Sequence, residues 1–379
     1  MCRSGDRWVR TDRSLVDSIV NRFFRIYIVP GAVIQSVMVG GGYGTGREIV
    51  EYFTSYGAMG GMLGICVAFV VLAAVVATTF ETARVFQAFD YRQFFKRLLG
   101  PGWIVYEVLI ILLFLLILAV LASAAGNILQ DNFGIPYGAG LLIMLLVVGV
   151  LTFYGRNLIT AALTFWSFFL YAVFLAFLIA VFGSERFSFG GGFDTTDVVG
   201  GWWRSGLQYA AYNLAVIPLL LYVARDFETR KEAICSGTVT GIIALLPALM
   251  FQLAFVAASP DVLDQAIPVY WMIEQLGHTS FLVVYSVMLF GTFIETGAGI
   301  LQGINERIDG YLAEVRGSNM KPTMRAAIAV FTILLSAGLS LIGITDLIAK
   351  GYGTMAWGFL VIYVLPLMTL GIYRLYSSR

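Results

Sequence analysis

The chain has 379 residues, 59% of them hydrophobic and 12% charged, with a formal net charge of +1. Soluble domains carry roughly 25% charged residues, so this composition, with a mean hydropathy of +0.85, excludes an ordinary soluble domain and points to an integral membrane protein. The near-zero charge gives no sign of a nucleic-acid partner, the separated Cys2, Cys66 and Cys235 build neither a disulfide framework nor a C-x-x-C motif, and His278 alone cannot supply a His-rich metal centre.

Residues 1–22 form a polar, arginine-rich tail without the short apolar core and small-residue cleavage site of a signal peptide. Beyond it, stretches of about 20 mostly apolar residues long enough to cross a bilayer recur. Ten are expected, at 24–55, 58–80, 103–126, 137–155, 158–183, 202–224, 232–257, 279–308, 323–343 and 351–375.

The first of these is interrupted. Val39 to Glu48 read Val-Gly-Gly-Gly-Tyr-Gly-Thr-Gly-Arg-Glu, with five glycines between Gly40 and Gly46. Unpaired backbone in hydrocarbon is costly, so such a break survives only inside protein or against a water-filled cavity. Carriers use breaks of this kind to turn backbone groups toward a substrate. Gly40, Gly41, Gly42, Tyr43, Gly44 and Thr45 are therefore candidate substrate-binding residues. Close helix packing is the plain alternative, and Gly57, Gly60, Gly61 and Gly64 in the second span illustrate it better. A dinucleotide fingerprint fails, because Arg47 stands where its third glycine would be.

The linker 81–101 sets Phe86, Phe89, Phe94 and Phe95 against Arg92, Lys96 and Arg97, the pattern of a helix lying on a membrane surface. The fifth span carries Asn157, Thr160, Thr164, Ser167 and Tyr171 at 3-4 spacing, either facing a cavity or bonding neighbouring helices. In the sixth span, Asn213 and Pro218 fall in mid-membrane and predict a second interruption, with Tyr209, Tyr212 and Asn213 lining the substrate pocket. Residues 259–277 are too polar and too proline-marked to span, and read as an external loop with a short helix, either a lid or a connector.

On the eighth span Thr292, Glu295, Thr296, Gly299, Gln302, Gly303 and Glu306 form one polar and small stripe. A carboxylate at the position of Glu295 is paired, protonated or bound to a cation, and each alternative suits ion coupling. A structural glutamate satisfied by a neighbouring helix is the competing reading.

Charge placement orients the spans. With ten crossings and the N-terminus inside, all of the 24 Lys and Arg except Arg47, Arg186, Arg204 and Lys350 fall on the cytoplasmic side. The expected protein is an all-α, multi-pass inner-membrane protein with both termini cytoplasmic. Its single transmembrane domain, 23–376, divides into repeats at about 24–183 and 202–375. Five spans per half make the repeats inverted, with the first and sixth helices broken at matching places.

This plan, with the lid segment, resembles the amino acid–polyamine–cation superfamily and its LeuT fold. More narrowly, Gly-Gly-Gly-Tyr-Gly-Thr-Gly-Arg-Glu-Ile followed by Glu51-Tyr-Phe resembles the uncharacterised YkvI-like group of bacterial proteins, nominally amino acid permeases. The resemblance runs from about 24 to 375. It implies alternating access for an amino acid or similar small solute, driven by Na⁺ or H⁺, with no other cofactor. It also implies a sodium position between the first break and the eighth helix, here Val39, Gly40, Thr292 and Thr296. An external gate between Arg47 and Asp346 is implied too, although Arg47 has a local alternative partner in Glu51. The lysine that some proton-coupled relatives carry on the fifth helix is absent, which leaves Glu295 as the proton candidate.

A membrane sensor on the same scaffold, or a carrier of another solute, is the alternative. A channel fits paired broken helices less well. An enzyme fits least, since there is no nucleophile–base pair and no cofactor motif.

Overall fold

The computed structural model describes residues 22–154, 156–187, 198–316 and 320–377. The expected basic tail, residues 1–22, lies outside them except for Arg22. In hydrocarbon every backbone amide must bond within its own segment, and among the described residues every regular element is helical.

The chain opens with α1 (Phe24–Met38), then two short pieces, α2 (Gly41–Gly44) and α3 (Arg47–Tyr52). α4 (Ala58–Phe86), α5 (Tyr91–Leu99), α6 (Trp103–Phe133), α7 (Tyr137–Tyr154) and α8 (Arg156–Phe182) follow. α9 (Trp202–Leu214) runs into a tighter helical stretch, Ile217–Asp226. α10 (Arg230–Ala257), α11 (Pro268–Gln275), α12 (Thr279–Arg316), α13 (Pro322–Ser340) and α14 (Ile344–Ser377) complete the bundle.

Six described helices are long and apolar enough to cross a membrane, and α9 with Ile217–Asp226 makes a seventh span if the pair, bent by 67°, counts as one. Three shorter apolar helices accompany them, Phe24–Met38, Tyr137–Val150 and Phe169–Phe182. The chain is therefore a multi-pass membrane protein.

Local chemistry sets the helix ends. The Asp90 carboxylate accepts the backbone N–H groups of Arg92 and Gln93 at 3.0 and 3.2 Å and so caps α5. That helix buries Phe94, Phe95 and Leu98 while Gln93, Lys96 and Arg97 stay exposed, the amphipathic arrangement read from sequence. Thr229 and Glu232 form a reciprocal capping box at the start of α10. Pro268 and Pro322 open α11 and α13, where a missing N–H costs nothing.

α9 and α10 pack on α4 through small residues. A Cβ on Gly206 would fall 2.2 Å from the Gly64 carbonyl oxygen, and one on Gly237 would fall 2.4 Å from the Ala77 backbone. Membrane helices associate through such close approach, because lipid supplies no hydrophobic drive between them. The short helix expected within 259–277 is α11, with Pro268, Val269, Tyr270, Met272 and Ile273 buried. The Tyr270 hydroxyl bonds Asn132 at the end of α6 and ties α11 to the bundle.

Candidate functional site around the interrupted first helix

α1 ends where Val39 leaves helical geometry, at φ −80° and ψ 55°. Further along, Gly46 stands at φ +82°, a left-handed conformation that costs other residues roughly 1–2 kcal/mol. A Cβ there would also fall 2.5 Å from the Phe255 ring, so Gly46 is required twice over.

The backbone freed by the break is bonded by the protein itself. The Gly40 carbonyl accepts the Gly44 N–H at 2.9 Å, and the Tyr43 carbonyl accepts the Gly46 N–H at 2.9 Å. The Gly42 carbonyl accepts the Thr45 hydroxyl at 2.6 Å. The Gly44 carbonyl accepts the Tyr285 hydroxyl, and the Thr45 carbonyl accepts the Val269 N–H of α11 at 3.3 Å. The sequence suggested carbonyls open to a ligand. In this conformation those of Gly40 and Gly42 to Thr45 are engaged by nearby donors.

Open polar space lies at the other end of the break. Ser36, Val39, Leu170, Tyr171, Thr292, Glu295 and Thr296 line a cavity of about 40 Å³. It brings together the expected Val39, Thr292, Glu295 and Thr296, and Gly40 sits against the Thr296 side chain. The Thr292 hydroxyl donates to the Met288 carbonyl at 2.9 Å and accepts the Trp166 indole N–H at 3.2 Å, which fixes its rotamer. Tyr171 reaches the same cavity and bonds Gln35 at 3.2 Å. The side chains of Asn157, Thr160, Thr164 and Ser167 lie outside the described residues. Glu295 is half-buried and has no hydrogen bond or ion pair among the described residues. Hydroxyl and carboxylate oxygens suit a hard cation, and a carboxylate alone suits a proton. No group of three or more His, Cys, Asp or Glu comes together among the described residues.

A second carboxylate was not anticipated. Glu48 on α3 is 5% exposed and accepts the Tyr212 hydroxyl of α9. Its other oxygen, Oε1, faces Gly42, where a Cβ would fall 2.4 Å away. The Tyr212 ring packs between those of Tyr52, Tyr209 and Tyr352, with centroids 5.5, 5.6 and 4.9 Å away. The hydroxyls of Tyr43 and Tyr209 are buried without a hydrogen-bond partner among the described residues. The expected Tyr209 and Tyr212 thus meet, but beside Glu48, while the Tyr43 ring packs against that of Phe251 with centroids 5.7 Å apart. Asn213 is turned elsewhere, donating to the Tyr209 carbonyl at 2.9 Å within its own helix.

The expected Arg47–Asp346 pair is not formed. Arg47 donates to the carbonyls of Leu263 and Gln265 at 2.6 and 3.2 Å and to Glu51 at 3.0 Å. Asp346 pairs with Lys350 at 3.0 Å. Glu51, one turn along α3, takes Nη2 and the loop before α11 takes Nη1, while Nε is buried without a hydrogen-bond partner among the described residues. At the bend after α9, the buried Tyr106 hydroxyl donates to the Ala215 carbonyl at 2.9 Å, satisfying backbone freed there.

An apolar helical bundle with an interrupted helix, a bent helix pair and a polar cavity defines a multi-pass membrane protein. No protein-family model matches the chain. It is 24% identical over 290 residues to the uncharacterized membrane protein YkvI of Bacillus subtilis (strain 168), covering 74% of this chain and 80% of the relative. This agrees with the resemblance read from the glycine motif. Among solved structures it is similar to the Eremococcus coleocola manganese transporter in complex with an aromatic bis-isothiourea substituted compound. That match has 14% identity and a TM-score of 0.52, over 97% of this chain and 80% of the other. A glutamate-to-alanine variant of that transporter matches at 15% identity and a TM-score of 0.53, with the same coverage.

Proposed function

We propose that the chain is a secondary active transporter that moves an amino acid or similar small zwitterion by alternating access, coupled to Na⁺ or H⁺. One observation carries the reading: the end of α1 at Val39 shares a cavity with Thr292, Glu295 and Thr296, inside a bundle whose surroundings are apolar. A half-buried carboxylate without a partner is expensive there unless it takes a proton or a cation. The fold of the solved transporters supports a carrier. Manganese is the cargo of those transporters and is not carried over to this chain.

In this reading the ten apolar stretches are ten spans in two inverted halves, with both termini on the basic, cytoplasmic side. Val39, Gly40, Thr292 and Thr296 hold Na⁺, or Glu295 carries H⁺. The solute lies between the glycine break and α9, displacing internal bonds such as Thr45 to Gly42 when the site opens. Arg47, locked to the segment before α11, holds the outer side closed.

The test is uptake by the purified chain in proteoliposomes, with a labelled amino acid mixture and an imposed Na⁺ or pH gradient. Accumulation above equilibrium under one gradient is expected. Its absence under both would overturn the reading.

A further inference from the structure

We propose that Glu48 and its surrounding tyrosines form the receptor for a primary ammonium group, and that this group is what the carried solute must possess. The proposal rests on the transporter reading and names the solute chemistry of that same site.

Glu48 is buried, yet no cation reaches it. Arg47 is its chain neighbour, but the guanidinium is held by Leu263, Gln265 and Glu51. Among the described residues the Glu48 carboxylate has one hydrogen-bond partner, Tyr212, and no ion pair. Removing a carboxylate from water without a counter-charge is strongly unfavourable, so the site calls for a cation or a proton.

Two further observations select the cation. Tyr43 and Tyr209 are 1% and 0% exposed and their hydroxyls have no hydrogen-bond partner among the described residues. Tyr43 follows Gly42, which Glu48 Oε1 faces, and the Tyr209 ring packs 5.6 Å from that of Tyr212, the Glu48 donor. Buried orphans of this kind are rare in native proteins and call for a ligand or water. A primary ammonium offers three N–H donors, and the Glu48 oxygen that Tyr212 leaves over and the unpartnered phenol oxygens are acceptors for such donors. The tyrosine rings add faces that attract an organic cation.

Position completes the argument. Tyr212 occupies one carboxylate oxygen, while Oε1 faces Gly42 on the interrupted segment, where any side chain would collide with it. The oxygen left over therefore points at the part of the backbone that the carrier reading assigns to the solute.

The experiment is thermal unfolding of the purified full-length protein against ethylammonium, the amino acid methyl esters, the N-acetyl amino acids and sodium, each as its chloride or sodium salt. Ethylammonium and a subset of the esters should stabilise the wild type beyond sodium alone, and N-acetyl compounds should not. Glu48→Gln should raise the half-saturating concentration at least about tenfold. Tyr209→Phe covers the case in which Glu48→Gln fails to fold. It removes an unpaired buried hydroxyl, so the free protein should hold or gain stability while ligand affinity falls. Equal affinity in Tyr209→Phe, or stabilisation by sodium alone that Glu48→Gln abolishes, would overturn the proposal, and so would no response to any ammonium compound. Uptake separates the two readings. Accumulation of an N-acetyl compound would remove the ammonium receptor and keep the carrier, whereas ammonium binding without any uptake would do the reverse.

Discussion

Glu48 and Glu295 flank the same interrupted helix and are held in opposite ways. Glu48 is 5% exposed, bonded to Tyr212 and pressed against Gly42 within a shell of tyrosines. Glu295 is half-buried, bonded to nothing among the described residues, and borders a cavity of about 40 Å³ that has room for a water or a small ion. A buried polar group held by a hydrogen bond and close packing keeps a fixed geometry, because breaking its contacts in a low-dielectric interior is costly. A group without partners can change its charge or its ion with little rearrangement. In the proposed carrier the contrast gives recognition to the first carboxylate and coupling to the second.

The sharpest way to break this comparison is Glu295→Gln. Gradient-driven accumulation should fall by about a hundredfold, the upper range of coupling between two sites, while solute exchange without a gradient persists. Radiolabel uptake and counterflow measured on one preparation decide it. Loss of both activities together would make Glu295 a structural residue.

Gly42→Leu comes next, since even its Cβ would displace the Glu48 carboxylate. Solute binding should vanish and stability should drop by about 1–3 kcal/mol from overpacking, read by calorimetric titration and thermal unfolding. Normal binding would move the solute away from the break. Tyr106→Phe tests the frame that both carboxylates share. It leaves the Ala215 carbonyl unpaired at the bend and should cost about 1–3 kcal/mol, with the ion dependence of uptake unchanged. The smallest effect is expected from Asp346→Asn, which loses an exposed pair with Lys350 worth about 0–1 kcal/mol. A large transport defect there would mean that Arg47 meets Asp346 in another conformation of the cycle.

Apolar stretches, the Val39–Gly46 break, the amphipathic α5 and the short helix α11 were legible in the sequence, because composition and glycine act locally. The grouping of Val39, Thr292, Glu295 and Thr296 was legible from the helical spacing on α12 and the resemblance. Glu48 was not, since its partner Tyr212 lies 164 residues away and nothing near Glu48 marks which face it takes. Arg47 beside it turned the other way, toward Glu51 and the backbone before α11, and no periodicity in so short a helix fixes that choice. Tyr106 escaped notice for the same reason, capping a carbonyl 109 residues further along.

The most direct test of the division between the two carboxylates pairs Glu48→Gln with Glu295→Gln in one assay, solute binding and gradient-driven uptake by the same reconstituted protein. The account expects Glu48→Gln to lose binding and Glu295→Gln to keep binding while losing accumulation. Identical behaviour of the two variants, or binding lost only in Glu295→Gln, would contradict it.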